Sequence, residues 1–155
     1  EITIRDLLRA SLRMRPDRLV IGEVRGAETV DMLQAFNTGH QGSLSTGHGN
    51  STKDMLYRLE TMVLMGMEIP AVAVRRQLAS GIDLMIHLGR LRDKRRVLLE
   101  ISEIAGYEND EIMLNPIFLF EETGLDDLGK ILGTWKKVGE LKHKEKLRMA
   151  GFLDD

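Results

Sequence analysis

Two short stretches of this 155-residue chain carry side chains suited to chemistry on a phosphoryl group. The first is Gly22-Glu23-Val24-Arg25, at the exit of the apolar run Leu19-Val20-Ile21. Ligands of open α/β sheets bind outside the carboxyl ends of strands, so a carboxylate at Glu23 is placed to orient a water molecule. The same residues also fit an ordinary surface ion pair between Glu23 and Arg25. The second stretch is a doublet, Thr38-Gly39-His40 and Thr46-Gly47-His48, the latter running on as Gly49-Asn50-Ser51 into a predicted helix. Glycines in such a turn expose backbone N–H groups, and histidine and threonine donate hydrogen bonds to phosphate oxygens. His48, His40 and Thr46 are therefore candidates for sensing an anion at that helix start. A glycine-rich turn whose histidine satisfies local backbone groups is the plainer alternative.

Other residues point to less. His40 and His48 as metal ligands would need a pairing that Gly39 and Gly42 interrupt, and the usual i, i+4 zinc spacing is absent, so no protein-built metal site is expected. His87 reads as a partly buried strand histidine and His143 as a solvated one in a lysine-rich helix. Gly124 to Lys130 fits the phosphate-binding-loop spacing G-x-x-x-x-G-K, but Ile131 follows where Mg²⁺ needs a hydroxyl, and Asp126 and Asp127 would repel phosphate. A hairpin turn is expected there. Arg5, Arg9 and Arg13 form a helical stripe that reads as a solvated face, with contact to a neighbouring subunit's phosphate as the alternative.

The elements that carry these residues are legible from their periodicity. Thr3 caps a helix with Ile4, Leu7, Leu8 and Leu12 on one face, and Pro16 ends it. A helix from about Ala27 to Phe36 closes at Gly39, a strand spans Ser43 to Thr46, and Ser51 caps a helix with Met55, Leu56, Leu59, Met62 and Val63 inward. Met65-Gly66-Met67 reads as a flexible joint, Pro70 opens a further helix and Gly81 closes it. Beyond it, Leu84 to Leu88, Val97 to Ile104 and Ile112 to Phe120 alternate with turns at Arg92-Asp93-Lys94 and Glu108-Asn109-Asp110, the pattern of an antiparallel meander. A last hairpin strand over Ile131 to Val138 and a charged helix over Glu140 to Ala150 complete the chain.

This order predicts an α/β fold in which part of a parallel sheet is followed by a smaller helical and antiparallel appendage. Two strands do not make an independent doubly wound core, so the α/β part looks incomplete and has exposed edges. Composition sets further bounds. An apolar content of 43% suffices for a core, and no apolar run approaches the ~20 residues of a spanning helix. Nothing in the sequence reads as an export signal, and the lack of cysteine suits a reducing cytosol. A formal net charge of -2 gives no general attraction for nucleic acid, and none is expected as a partner.

Ile2-Thr3-Ile4-Arg5-Asp6-Leu7, Arg13-Met14-Arg15-Pro16-Asp17-Arg18, Gly22-Glu23-Val24-Arg25-Gly26 and Gly42-Ser43-Leu44-Ser45-Thr46-Gly47-His48, in this order, resemble the type II/type IV secretion traffic ATPases. The likeness is closest to the CpaF-type ATPases of Flp, or tight-adherence, pili. It continues through Arg58-Leu59-Glu60-Thr61-Met62-Val63, Arg75-Arg76-Gln77-Leu78 and Ile82-Asp83-Leu84 to Phe118-Leu119-Phe120-Glu121 and Thr123-Gly124.

The resemblance implies a RecA-like P-loop core over residues 1–66, carrying an atypical Walker B glutamate at Glu23 and the His-box histidine at His48. Residues 67–155 would form the carboxyl-terminal subdomain. It further implies a homo-hexamer that uses ATP and Mg²⁺ and works with an inner-membrane platform protein, itself cytoplasmic and peripheral at that membrane. Glu23 would orient water, His48 would report the γ-phosphate and Arg25 would hold the local ionic network. The family's Walker A loop, Asp box and amino-terminal domain would precede Glu1, so the chain by itself is expected to be inactive. Gly47 and Gly49 stand where relatives carry a bulky aliphatic and an alanine, which predicts a looser loop around His48. The alternative is a non-catalytic adaptor module of a secretion apparatus, and a histidine-based metallohydrolase is a third reading.

Overall fold

The computed structural model describes residues 1–153 and divides into two compact units, Glu1–Asp83 with Gly106–Ile112, and Leu84–Ala105 with Met113 onward. Packing puts the fourth helix with the first unit.

The first unit begins with α1 (Ile4–Arg13), started by a capping box in which Thr3 Oγ1 accepts from the Asp6 amide and the Asp6 carboxylate accepts from the Thr3 amide. Its apolar stripe is mostly uncovered, for Leu8 is buried while Ile4 and Leu7 are exposed. The arginine stripe supplies much of the attachment instead. Arg5 Nε lies 2.6 Å and Arg9 Nε 3.0 Å from the two carboxylate oxygens of Asp31, whose side chain is only 4% exposed. The expected solvated face is therefore corrected for these two residues: a buried acid needs partners, and α1 provides both.

Strands β1 (Val20–Ile21) and β2 (Leu44–Ser45) pair in parallel, Val20 with Leu44 and Ile21 with Ser45. Ile21 is buried on one face, while Val20 and Leu44 on the other face are exposed. The core beneath is built by α2 (Thr29–Asn37), α3 (Thr52–Gly66) and α4 (Ala71–Gly81) through Val30, Leu33, Leu56, Leu59, Val63, Val74 and Leu78, all nearly solvent-free. Asn37 joins two of these helices, its Nδ2 donating to Leu33 O and Gln77 O. Gly66 is no loose joint: a Cβ there would lie 2.9 Å from Ala27 O and from Val30 Cγ2, so the residue is small because α3 ends against the start of α2.

A four-stranded antiparallel sheet follows in the order β3 (Leu84–Arg90), β4 (Arg96–Glu108), β5 (Glu111–Leu125) and β6 (Ile131–Lys137), all of it in the second unit except Gly106–Ile112. The predicted turns fall in place, with Lys94, Asn109 and Asp110 taking the left-handed backbone such turns require. The segment Gly124 to Lys130 is a hairpin turn, Asp126 N donating to Lys130 O. Strand β3 turns Leu84, Ile86 and Leu88 to solvent and leaves His87 half-buried. Trp135 packs edge-on against Phe120 at 5.7 Å and donates from Nε1 to Leu98 O.

The terminal helix is much shorter than expected, α5 covering only Glu145–Met149. His143 precedes it and is not in a helix: its amide and that of Lys142 donate to buried Glu103, at 2.8 Å and 2.9 Å. Asn115 Nδ2 completes the carboxylate's shell. Burial disfavours ionisation of Glu103, but the two amides, Asn115 and the neighbouring His143 outweigh it and hold the carboxyl below its usual value.

Two outcomes are expected. Asp31→Ala removes two charge-assisted bonds and should lower stability by about 2–3 kcal/mol in denaturant melts, with Asp31→Asn milder because it keeps an acceptor. Glu103 is depressed in the folded state, so its contribution is full above its unfolded value and is lost as pH falls through the lower folded one. The amide signals of Lys142 and His143 should accordingly titrate only below the ordinary glutamate value, and Glu103→Gln should abolish that transition.

Candidate functional site

The parallel pairing of β1 with β2 sets two chain exits side by side. Buried Ile21 anchors the first, and the chain then turns out through Gly22 to Glu23. The pairing continues past the strands: Val24 N donates to Thr46 O at 3.0 Å, and Thr46 Oγ1 donates to Gly22 O. Thr46 therefore holds the backbone on both sides of Glu23, which is its role here, and its hydroxyl is engaged rather than free. Val24 is 2% exposed, so it fixes the loop from below.

His48 lies just beyond, with Nε2 3.2 Å from Glu23 Oε1. Both side chains are open to solvent, the histidine 81% and the glutamate 41% exposed, so the contact adds little stability. Its value lies in direction: a carboxylate oriented by an imidazole at a strand end can hold a water, and the imidazole can respond to an anion that competes for it. Ser51 caps α3 directly after this turn, accepting from the Asp54 amide at 3.0 Å. The helix N-terminus thus begins beside the histidine.

Gly47 and Gly49 do not leave the loop loose. A Cβ at position 47 would lie 2.3 Å from Met55 Cε, and one at position 49 would lie 3.0 Å from Met55 Cβ and 3.2 Å from its backbone nitrogen. Met55 of α3 fills the space that side chains on the loop would occupy, which replaces the expected slackness with contact.

The remaining predicted residues separate. Glu23 pairs with His48 and not with Arg25. Arg25 is exposed, and its amide donates to Glu28 Oε1 at 2.8 Å. His40 lies in the turn before β2, where its carbonyl accepts from the Ser43 amide and hydroxyl. Its Nδ1 is buried without a partner, and no hydrogen bond or ion pair joins it to Glu23, Thr46 or His48 among the described residues. Two contributors escaped the sequence reading. Glu28, three residues after Arg25, acts on the loop after β1, and Met55, read only as core, acts on the loop after β2; only the glycines beside them hinted at close approach.

The chain is similar to known proteins in sequence and in fold. Residues 1–118 match the family model described as type II/IV secretion system protein. The chain belongs to that family. The match ends within β5, so the quoted likeness at Leu119 to Gly124 lies outside it.

A Mycobacterium tuberculosis protein named for conjugal transfer is 46% identical over 108 residues, covering 70% of this chain and 30% of its own. Among solved structures, the VirB11 ATPase of the Brucella suis type IV secretion system, in complex with sulphate, superposes with a TM-score of 0.62. It is 33% identical and covers 66% of this chain and 32% of its own. The Legionella pneumophila ATPase DotB gives a TM-score of 0.50 at 30% identity, over 63% of this chain and 26% of its own. The chain spans about a third of the length of the relatives it matches.

The Met55 contact yields a test. Gly47→Val should cost about 1–3 kcal/mol of stability by overpacking, and Met55→Ala in the same chain should recover most of that cost in a double-mutant cycle.

Proposed function

We propose that this chain is the carboxyl-terminal part of a hexameric, CpaF-type ATPase that couples ATP hydrolysis to pilus assembly or protein secretion. Residues 1–66 supply the Walker B and His-box portion of a RecA-like core, and residues 67–155 the carboxyl-terminal subdomain. The observation that carries this reading is the 3.2 Å contact between Glu23 and His48 at the joined exits of two parallel strands. Family membership and the secretion ATPases among the solved relatives support it.

The residues present fit one side of a nucleotide pocket. Glu23 would orient the attacking water, His48 would report the γ-phosphate, and Arg25, exposed at the mouth, would supply positive charge near it. Thr46 acts by holding the loop, while His40, in the turn before β2, makes no hydrogen bond or ion pair with these residues. ATP would bring the phosphoryl group and Mg²⁺ would neutralise its charge, both held mainly by a phosphate-binding loop outside the described residues. Without that loop the transition state has too few partners, so the isolated chain is inactive. The assembly is a homo-hexamer working against an inner-membrane platform protein from the cytoplasmic side. No helix among the described residues is long and apolar enough to cross a membrane.

A second reading has one observation in its favour: the uncovered face of β1 and β2, where Val20 and Leu44 are exposed, suits a non-catalytic module that docks on a larger ring. Catalysis separates the two. With this chain joined to a phosphate-binding loop, Glu23→Gln should lower ATP turnover about a hundredfold or more while ATP binding persists. Unchanged turnover would reject the assignment and favour the docking module.

A further inference from the structure

The loop that presents Glu23 is fastened on its far side by an acid that points backward. Glu28 immediately precedes α2 with helical backbone angles, yet its side chain makes no capping bond to its own helix. It turns instead toward the preceding loop, and Oε1 accepts from the Arg25 amide at 2.8 Å and the Gly26 amide at 3.0 Å. A Cβ on Gly26 would lie 3.1 Å from Glu28 Oε2, so the carboxylate covers that residue closely. Gly26 is also held through its carbonyl, which accepts from the Thr29 amide and hydroxyl. The stretch from Gly22 to Gly26 is thus pinned at one end by Thr46 and at the other by Glu28 and Thr29. Thr46 brackets Glu23 at Gly22 and Val24, and Glu28 and Thr29 hold Arg25 and Gly26 just beyond, while the Glu23 side chain itself is 41% exposed and meets His48.

We infer that Glu28 is a positioning residue: by clasping the Arg25 and Gly26 amides it fixes the direction in which Glu23 meets His48 and the water between enzyme and phosphate. This rests on the proposed role of Glu23. The chemistry of the clasp suits the task. Burial opposes ionisation of Glu28, but the amides of Arg25, Glu28 and Gly26 and the nearby Arg25 charge outweigh it, so the carboxyl is held below its usual value. An ionised acceptor of two amides is a strong fastening, and it costs no reorganisation during turnover. Orientation of this kind acts on the rate of the chemical step and leaves binding of substrate alone.

The test compares Glu28→Ala, which removes the acceptor, with Glu28→Gln, which keeps a neutral one. In the 155-residue chain, amide hydrogen exchange should rise about tenfold at Arg25 and Gly26 in Glu28→Ala, with Glu28→Gln intermediate and the amides inside α2 unchanged. With a phosphate-binding loop joined upstream, kcat per ATP-binding site should fall about tenfold in Glu28→Ala, the KM for ATP should stay within about twofold, and Glu28→Gln should restore part of the loss. Exchange that does not change at Arg25 and Gly26 would overturn the clasp. Faster exchange with normal kcat, in an enzyme that Glu23→Gln inactivates, would overturn the positioning role. An enzyme in which Glu23→Gln turns over normally would overturn the reading of Glu23 itself, and the catalytic consequence assigned to Glu28 would fall with it even where the exchange change persists.

Discussion

The parallel pairing of two very short strands governs where every reactive group lies. Val20 meets Leu44 and Ile21 meets Ser45, and a ladder of that length would not hold alone. It is prolonged at both ends by bonds outside the regular strands: the Leu19 amide donates to Ser43 Oγ, the Leu44 amide to Leu19 O and the Val24 amide to Thr46 O. These bonds convert a marginal ribbon into a fixed register. Because residues on parallel strands leave the sheet in the same direction, the register places Gly22-Glu23 and Thr46-Gly47-His48 together.

The helices hold that register from one side. Val24, Val30, Leu33, Leu56 and Leu59 belong to a single apolar body, so the loop after β1 and the start of α3 are positioned by the same packing. The exposed pair at the top inherits its geometry from groups that never touch solvent. Precision in an exposed site requires a rigid support, and here the support is buried Val24 together with the apolar faces of three helices.

Much of this was legible in the residues. Helical periodicity located α2, α3 and α4, Thr3 and Ser51 announced their helix starts, and the order of strands and helices gave the α/β half followed by a meander. Glu23 and His48 were each singled out by their residue types, and the parallel register is what brings them together. What the sequence hid was of two kinds. Pairwise closure across the chain, such as Asp31 with Arg5 and Arg9 or Glu103 with Lys142 and His143, leaves no local pattern, because the partners lie far apart in number. Occupied volume was equally silent: Gly47 and Gly49 read as freedom until Met55 was seen against them. The stripe of Ile4 and Leu7 misled in the opposite sense, since periodicity reports which face is apolar and says nothing about what covers it.

The clasp of Asp31 by two arginines gives α1 a different solvent response from the helices behind it. Added electrolyte weakens attraction between charges, most where they are wet, and Arg9 is 61% exposed while Arg5 is 34%. The contacts among α2, α3 and α4 are hydrocarbon contacts, which excluded salts such as sulfate strengthen. A rise in such a salt therefore loosens the outer arginine first and tightens the body beneath. The leading helix is consequently the part of this unit that can change its attachment while the platform under Glu23 and His48 keeps its shape.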